Sequence, residues 1–223
     1  MTEGNVTMMK KLAYVFLSGE AGGSIEYYKN LIEEKDIYCG DGGANLVDEI
    51  GLYPKEIWGD MDSVREEVLK KFQEMGTQVK KFSPDKDFTD GELILEYVSS
   101  KGYDEIHVIG GFGGRIDHSL TNTNLLFKYR RVKFITEREE VFAIDSFAEL
   151  DYPSGTTVSF IPFTDEVVGV TLIGFKFPLD NYTLKRGESI CMSNVILQRG
   201  RVEFKAGKLL CVVQKKYRKN MEI

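Results

Sequence analysis

Asp60 and Asp62 stand one residue apart in Gly59-Asp60-Met61-Asp62-Ser63. Two carboxylates that close repel each other unless they diverge or share a cation. Mg²⁺ commonly takes one or two protein carboxylates together with substrate phosphates. The run Glu56-Ile57-Trp58 ahead of the pair reads as the end of a buried strand, and the run from Val64 reads as an amphipathic helix. The pair therefore falls on a strand-to-helix turn. An extended backbone at Met61 would aim both carboxylates the same way. The same residues also suit a plainer role, with Asp60 closing the strand and Asp62 or Ser63 capping the helix. Taken alone, the motif does not choose between the two.

Similar signals recur after other apolar runs. Asp41 follows a short strand over 37–39, within Gly40-Asp41-Gly42-Gly43-Ala44-Asn45. Glycines there let a backbone approach a ligand, while Asp41 could simply cap a helix over 45–50. Ser83-Pro84-Asp85-Lys86-Asp87-Phe88-Thr89-Asp90 follows a strand over 79–82. Thr89 with Glu92 forms a capping box, and Asp90 in the first helical turn suits the helix dipole. Lys86 among three aspartates is harder to read as a solvated loop. After a strand over 106–109 come Gly110-Gly111-Phe112-Gly113-Gly114-Arg115-Ile116-Asp117-His118. Four glycines in five residues cost chain entropy unless the backbone must bend sharply or touch something. Arg115 carries the forked guanidinium suited to phosphate.

The elements that position these residues alternate. A buried run over 12–17 leads into Ser18-Gly19-Glu20-Ala21-Gly22-Gly23, and Ser24 caps a helix reaching 34. Ser63 with Glu66 makes a capping box ahead of Val64, Val68, Phe72 and Met75 on one helical face. A helix over 117–129 and a strand over 132–135 close the series. This is α/β: an open, mostly parallel sheet with flanking helices over residues 1–145. Ligands on such sheets bind beyond the carboxyl ends of the strands, where Asp41, Asp60, Asp62, Asp90 and Arg115 all fall. Five separate caps on one edge would be a coincidence, and one metal–polyphosphate site explains them together. From about 146 the helical period disappears. Short runs at 156–161, 167–173, 188–192, 201–204 and 208–213 predict a smaller all-β sandwich domain over 146–223.

The chain has 223 residues, 42% hydrophobic and 29% charged, with net charge −6. That acidic balance argues against general nucleic-acid binding, which needs a basic surface. Cys39, Cys191 and Cys211 are far apart, with no C-x-x-C pair, so neither a zinc site nor a disulfide framework is expected. The N-terminal residues lack a signal-peptide apolar core, and no apolar run is long enough to span a membrane. A cytoplasmic protein is expected.

The motifs around Asp41, Asp60, Asp90 and Arg115, in this order and at these separations, resemble those of the thiamin pyrophosphokinase family. Ser193-Asn194 resembles the Ser-Asn element of that family's second domain. The resemblance spans about residues 11–213. It implies an α/β catalytic domain, a C-terminal β-sandwich that binds the acceptor, and a homodimer with active sites between subunits. It also implies transfer of pyrophosphate from ATP to the hydroxyl of thiamin, giving thiamin diphosphate and AMP. On this resemblance Asp60, Asp62 and Asp90 carry Mg²⁺ with support from Asp41. Lys86 and Arg115 stabilise phosphate charge, Asp117 or His118 orients groups around the phosphates, and the Gly42 and Gly113 loops supply backbone N–H groups. Ser193, Asn194 and an apolar wall including Ile196 would meet the acceptor. Some relatives place a stacking Trp where this chain has Ile196. A hydroxymethyl-pterin pyrophosphokinase with the same loops, and a nucleotide sensor without turnover, are the competing expectations.

Overall fold

Val15 and its neighbours explain the centre of the computed structural model, which describes residues 10–32, 35–83 and 87–215. In β1 (Leu12–Phe16) alternate side chains enter different cores. Ala13 and Val15 join one apolar cluster, and Tyr14 and Phe16 join another. A strand buried on both faces needs helices on both faces. The following elements are α1 (Ile25–Ile32), β2 (Asp36–Gly40), α2 (Gly43–Ile50), β3 (Glu56–Gly59), α3 (Glu66–Glu74) and β4 (Gln78–Lys81). Then come α4 (Asp90–Ser99), β5 (Glu105–Ile109), α5 (Ile116–Lys128) and β6 (Val132–Ile135). β1 pairs in parallel with both β2 and β5, so the strand order 4-3-2-1-5-6 reverses at β1. The crevice beyond the carboxyl ends of β1 and β5 is the switch point where such sheets receive ligands.

The remaining elements are strands: β7 (Glu139–Ile144), β8 (Phe147–Leu150), β9 (Thr157–Pro162), β10 (Glu166–Phe175), β11 (Leu179–Lys185), β12 (Asn194–Glu203) and β13 (Leu209–Gln214). β7 runs antiparallel to β6, and β13 lies between β7 and β9. The sheet therefore continues from the α/β half into a C-terminal β-rich domain. β12 turns the corner there. Asn194 and Val195 pair with β9, and the rest of the strand pairs with β10 and β8. No helix among the described residues is long and apolar enough to cross a membrane.

Several local expectations change. Residues 188–192 form a turn, not a strand. Ile190 and Met192, which made the run look apolar, are exposed, and only Cys191 between them is buried. β11 takes a polar stretch instead, because it is an edge strand. The helix after Asp62 starts at Glu66, and Arg65 holds its N-cap without a side-chain bond, so Ser63 and Glu66 form no capping box. Thr89 does cap α4, accepting from the Glu92 N–H at 3.2 Å, and Ser24 accepts from the Tyr27 N–H at 3.2 Å. Ile196 is fully buried beside Phe175 and Val158 in the β-domain core. It cannot form the wall of an open pocket.

The two faces of the sheet treat the junction differently. On one face a single apolar cluster runs from Ala13 through Phe134 to Val141 and Leu210, joining both halves. On the other, separate clusters end at Ile135 and begin at Phe142. Strand alternation puts Glu105, His107, Lys133 and Glu140 on that second face, between the two clusters. Glu105 takes Lys10 at 2.6 Å, His107 Nε2 at 3.2 Å and Lys133 at 3.6 Å. Glu140 accepts from the Tyr152 hydroxyl at 2.7 Å and pairs with Lys215 at 3.5 Å. The His107 contact, aided by Lys10 and Lys133, holds the Glu105 carboxyl well below the usual range. A depressed folded pKa stabilises the fold above the unfolded value and stops doing so as pH falls through the folded one. Glu105→Gln should therefore lower stability to urea at pH 7. The gap to the parent protein should narrow progressively below about pH 4. Equal gaps at pH 7 and at the acid end of the range would remove Glu105 from the acid response.

Candidate active site

Asp41 follows β2 directly, with φ of +35°, a left-handed conformation unusual for a residue with a side chain. Its N–H donates to the Trp58 carbonyl at 2.7 Å. Its carboxylate accepts from the Ser63 N–H and the Val64 N–H, each at 3.1 Å. Asp41 therefore caps no helix. It ties the loop after β2 to the loop after β3. The extended backbone expected at Met61 is absent: Met61 has φ of +68°. The left-handed turn still gathers the aspartates. Asp62 N–H donates to Asp60 Oδ1 at 3.4 Å, and Ser63 Oγ donates to Asp62 Oδ1 at 2.7 Å. One oxygen each from Asp41, Asp60 and Asp62 lies within 4.8 Å of the others. Asp41 is only 4% exposed. Burial pushes its carboxyl up to about 6, and the neighbouring Asp62 adds to the rise against the two N–H donors.

A second strand-end crossing faces this loop. Leu17 N–H donates to Ile109 O, Gly19 N–H to Gly110 O and Glu20 N–H to Phe112 O, at 2.8 to 2.9 Å. A Cβ on Gly110, which has φ of +71°, would stand 2.3 Å from the Leu17 carbonyl oxygen. A Cβ on Gly43 would stand 2.2 Å from that of Phe16. Those glycines let the strand-end loops pack backbone on backbone. Asn122, buried on α5, donates its Nδ2 to Gly111 O at 2.8 Å and braces the glycine run from behind. Asp90 is the first residue of α4, beside the cleft.

These loops enclose a cleft of about 380 Å³ whose lining residues run from Leu17 to Asn122. Asp41, Asp60, Asp62, Asp90, Gly113, Arg115 and His118 all line it. Gly42 stands at its edge, where a Cβ would lie 2.9 Å from Ser18 Oγ. Asp90 shares the cleft but not the tight carboxylate group. Arg115 is 72% exposed, and Asp117 accepts its fork at 3.1 and 2.6 Å. Arg115 in turn holds the Asp117 carboxyl below the usual range. Asp117 also accepts from the His118 N–H at 3.0 Å, but it lies outside the lining. Lys86 falls outside the described residues.

Ser193 and Asn194 are not in the cleft. Asn194 is 1% exposed, and its amide is already spent. Oδ1 accepts from the Phe177 N–H at 3.0 Å and the Val195 N–H at 2.8 Å, and Nδ2 donates to Phe177 O at 2.7 Å. The expectation that Asn194 reads an acceptor ring is corrected accordingly: it locks the corner where β12 changes sheets. Ser193 beside it is exposed, with φ of +53°. Among the cleft residues to which the sequence reading gave no site role are Ser18 and Asn122, which carry polar side chains. Asn122 left a trace, as a polar residue on the helical face that carries Leu125 and Leu126. Ser18 left none beyond its place in a glycine-rich loop.

Two family models match the chain. The thiamin pyrophosphokinase catalytic domain matches residues 28–136, and the thiamin pyrophosphokinase vitamin B1 binding domain matches residues 146–209. A thiamine pyrophosphokinase of Bacillus subtilis (strain 168) is 30% identical over 199 residues, covering 82% of this chain and 93% of that protein. Thiamine pyrophosphokinase 2 of Arabidopsis thaliana is 29% identical over 192 residues, covering 71% and 70%. The crystal structure of a thiamin pyrophosphokinase from Geobacillus thermodenitrificans superposes with a TM-score of 0.81 at 28% identity, over 93% of this chain and 99% of that one. Both halves of the fold and the strand-end motifs thus point one way, and the chain belongs to the thiamin pyrophosphokinase family.

Proposed function

We propose that this protein is a thiamin pyrophosphokinase that moves the pyrophosphoryl group of ATP to the hydroxyl of thiamin. The observation that carries the reading is the convergence of Asp41, Asp60 and Asp62 on a glycine-lined cleft at the sheet's switch point. The donor set fits Mg²⁺, because three carboxylates supply hard oxygen ligands and mutual repulsion that a cation relieves. Asp60 and Asp62 would hold the ion, with Asp41 and Asp90 supporting. When bound, Mg²⁺ would neutralise charge on phosphate oxygens.

The chain's own residues have definable tasks. The hydroxyl oxygen of thiamin forms a bond to the β-phosphorus and gives up its proton to solvent, as the bond from that phosphorus to the α–β bridging oxygen breaks and AMP leaves with that oxygen. Such a displacement needs in-line positioning and charge neutralisation more than covalent chemistry. Arg115 is exposed at the mouth and keeps its fork oriented through Asp117. Phosphate would take that fork, with Lys86 and His118 assisting and the Gly42 and Gly113 loops offering N–H groups. The match of residues 146–209 to a vitamin B1 binding domain supports thiamin over a hydroxymethyl pterin as acceptor.

On this reading residues 1–145 act on the nucleotide and 146–223 on the acceptor. The cleft is lined by residues 17 to 122 alone, so the acceptor surface near Ser193 would come from a second subunit. Exposed Ile116 and Leu120 beside the cleft, and exposed Phe177, Met192 and Leu197 on the β-domain, support a homodimer that covers both patches. Buried, free Cys39, Cys191 and Cys211 support a reducing compartment such as the cytoplasm.

Three outcomes test the proposal. Incubated with ATP, Mg²⁺ and thiamin, the protein should release AMP. Asp62→Asn should fold normally by circular dichroism and release none, and excess EDTA should stop the parent enzyme. Undiminished turnover in EDTA with metal shown to be absent would refute the metal role. Arg115→Lys keeps the charge but loses the fork, and should slow turnover by ~2–4 kcal/mol of transition-state stabilisation. Equal rates would leave Arg115 with no phosphate contact. Light scattering at assay concentration should give a dimer, and Leu197→Glu should yield inactive monomers with unchanged secondary structure. An active monomer would contradict the shared site.

A further inference from the structure

Glu56, the first residue of β3 and four residues before Asp60, is a carboxylate only 9% exposed. It accepts two hydrogen bonds, from Trp58 Nε1 at 2.9 Å and from the Tyr97 hydroxyl at 2.7 Å. The Trp58 ring lies against that of Tyr97, with centroids 4.4 Å apart and planes 37° apart. Glu56 and Trp58 are on β3, and Tyr97 is on α4. A buried carboxylate satisfied by donors from two elements fixes those elements in one register, because moving either leaves a buried polar group unpaired.

Both elements lead straight into the cleft. Trp58 is two residues before Asp60, and its carbonyl holds the Asp41 N–H at 2.7 Å. Tyr97 stands seven residues after Asp90, so the two share a face of α4. The small network therefore spans the two acidic loops, with the Asp60–Asp62 turn on one side and Asp90 on the other. Neither Glu56 nor Trp58 lines the cleft. We propose that Glu56, Trp58 and Tyr97 are positioning residues that set the separation of Asp60 and Asp62 from Asp90, and that the Trp58 indole senses occupation of the cleft. This rests on the reading of those aspartates as the metal-binding group. Trp58 is the chain's one tryptophan, so its emission is an unmixed signal.

The experiment uses the full chain and two readouts. One is AMP release as a function of Mg²⁺ and of thiamin. The other is Trp58 emission titrated with Mg²⁺ and a non-hydrolysable ATP analogue. In the parent protein the emission should change saturably, and Asp62→Asn should abolish the change. Tyr97→Phe keeps the ring on Trp58 and removes one donor. Glu56→Leu removes the acceptor. Both should raise the Mg²⁺ needed for half-maximal rate and for half-maximal emission change by ~10-fold, the scale on which second-layer groups act on metal sites. The KM for thiamin should stay within about twofold, since these groups act through the acidic loops. Glu56→Gln should rescue, because its amide can accept from the indole and donate to the phenol oxygen. If Glu56→Leu fails to fold, Tyr97→Phe decides. Parent-like Mg²⁺ dependence in a folded Tyr97→Phe protein would overturn the proposal. If no AMP is released from ATP and thiamin, yet Tyr97→Phe still shifts the emission titration, the catalytic reading falls and the positioning role stands.

Discussion

The Asp41 carboxylate and the two backbone N–H groups of Ser63 and Val64 form the contact on which the site depends. It draws the loop after β3 back towards β2, where the Asn45 side chain also holds Ser63 and Arg65. Holding it costs free energy twice, through a left-handed non-glycine residue and through a largely buried carboxylate. Met61, also left-handed, adds to that cost. Strain of this kind persists only where the surroundings over-determine it. Here they do: the Asp41 N–H is fixed to Trp58, and the Asn45 amide donates to Ser63 O at 3.0 Å. The three carboxylates are thus gathered by contacts made within the chain itself.

Much of this was legible in the residue pattern, for physical reasons that differ by element. The parallel half could be read because its strands are buried on both faces and its helices carry one apolar face. Thr89 with Glu92 marked a helix start that exists, because that box makes a real capping bond. Ser63 with Glu66 has the same spacing and makes none, because the Ser63 backbone is taken by Asp41 and its hydroxyl by Asp62. A tertiary contact 22 residues away overrode a local signal. Ser193-Asn194 shows the same limit. The residues could be found by their type, yet whether an amide faces a ligand or locks a corner depends on where β10 turns, and no local pattern reports that.

The junction between the halves illustrates how one sheet can be one body on one face and two on the other. The apolar cluster through Phe134, Val141 and Leu210 ignores the change in architecture. On the opposite face Glu105, Lys133 and Glu140 interrupt the core with ion pairs and hydrogen bonds. Apolar packing is less directional than hydrogen bonding, whereas these half-buried charged and hydrogen-bonded pairs have partners at defined positions. The mixed junction thus combines adhesion from one face with register from the other.

The place of β13 carries a consequence for synthesis on the ribosome. Its residues, 209–214, are the last strand among the described residues yet lie between β7 and β9, in the interior of the strand order. The α/β half through β6 draws its strand partners from residues already made, so it can assemble while the rest emerges. β7 and β9 cannot. Until β13 is available, each offers an unpaired edge, the kind of template on which neighbouring chains join. In a chain folded as it is made, this sheet could close only once these six residues were available.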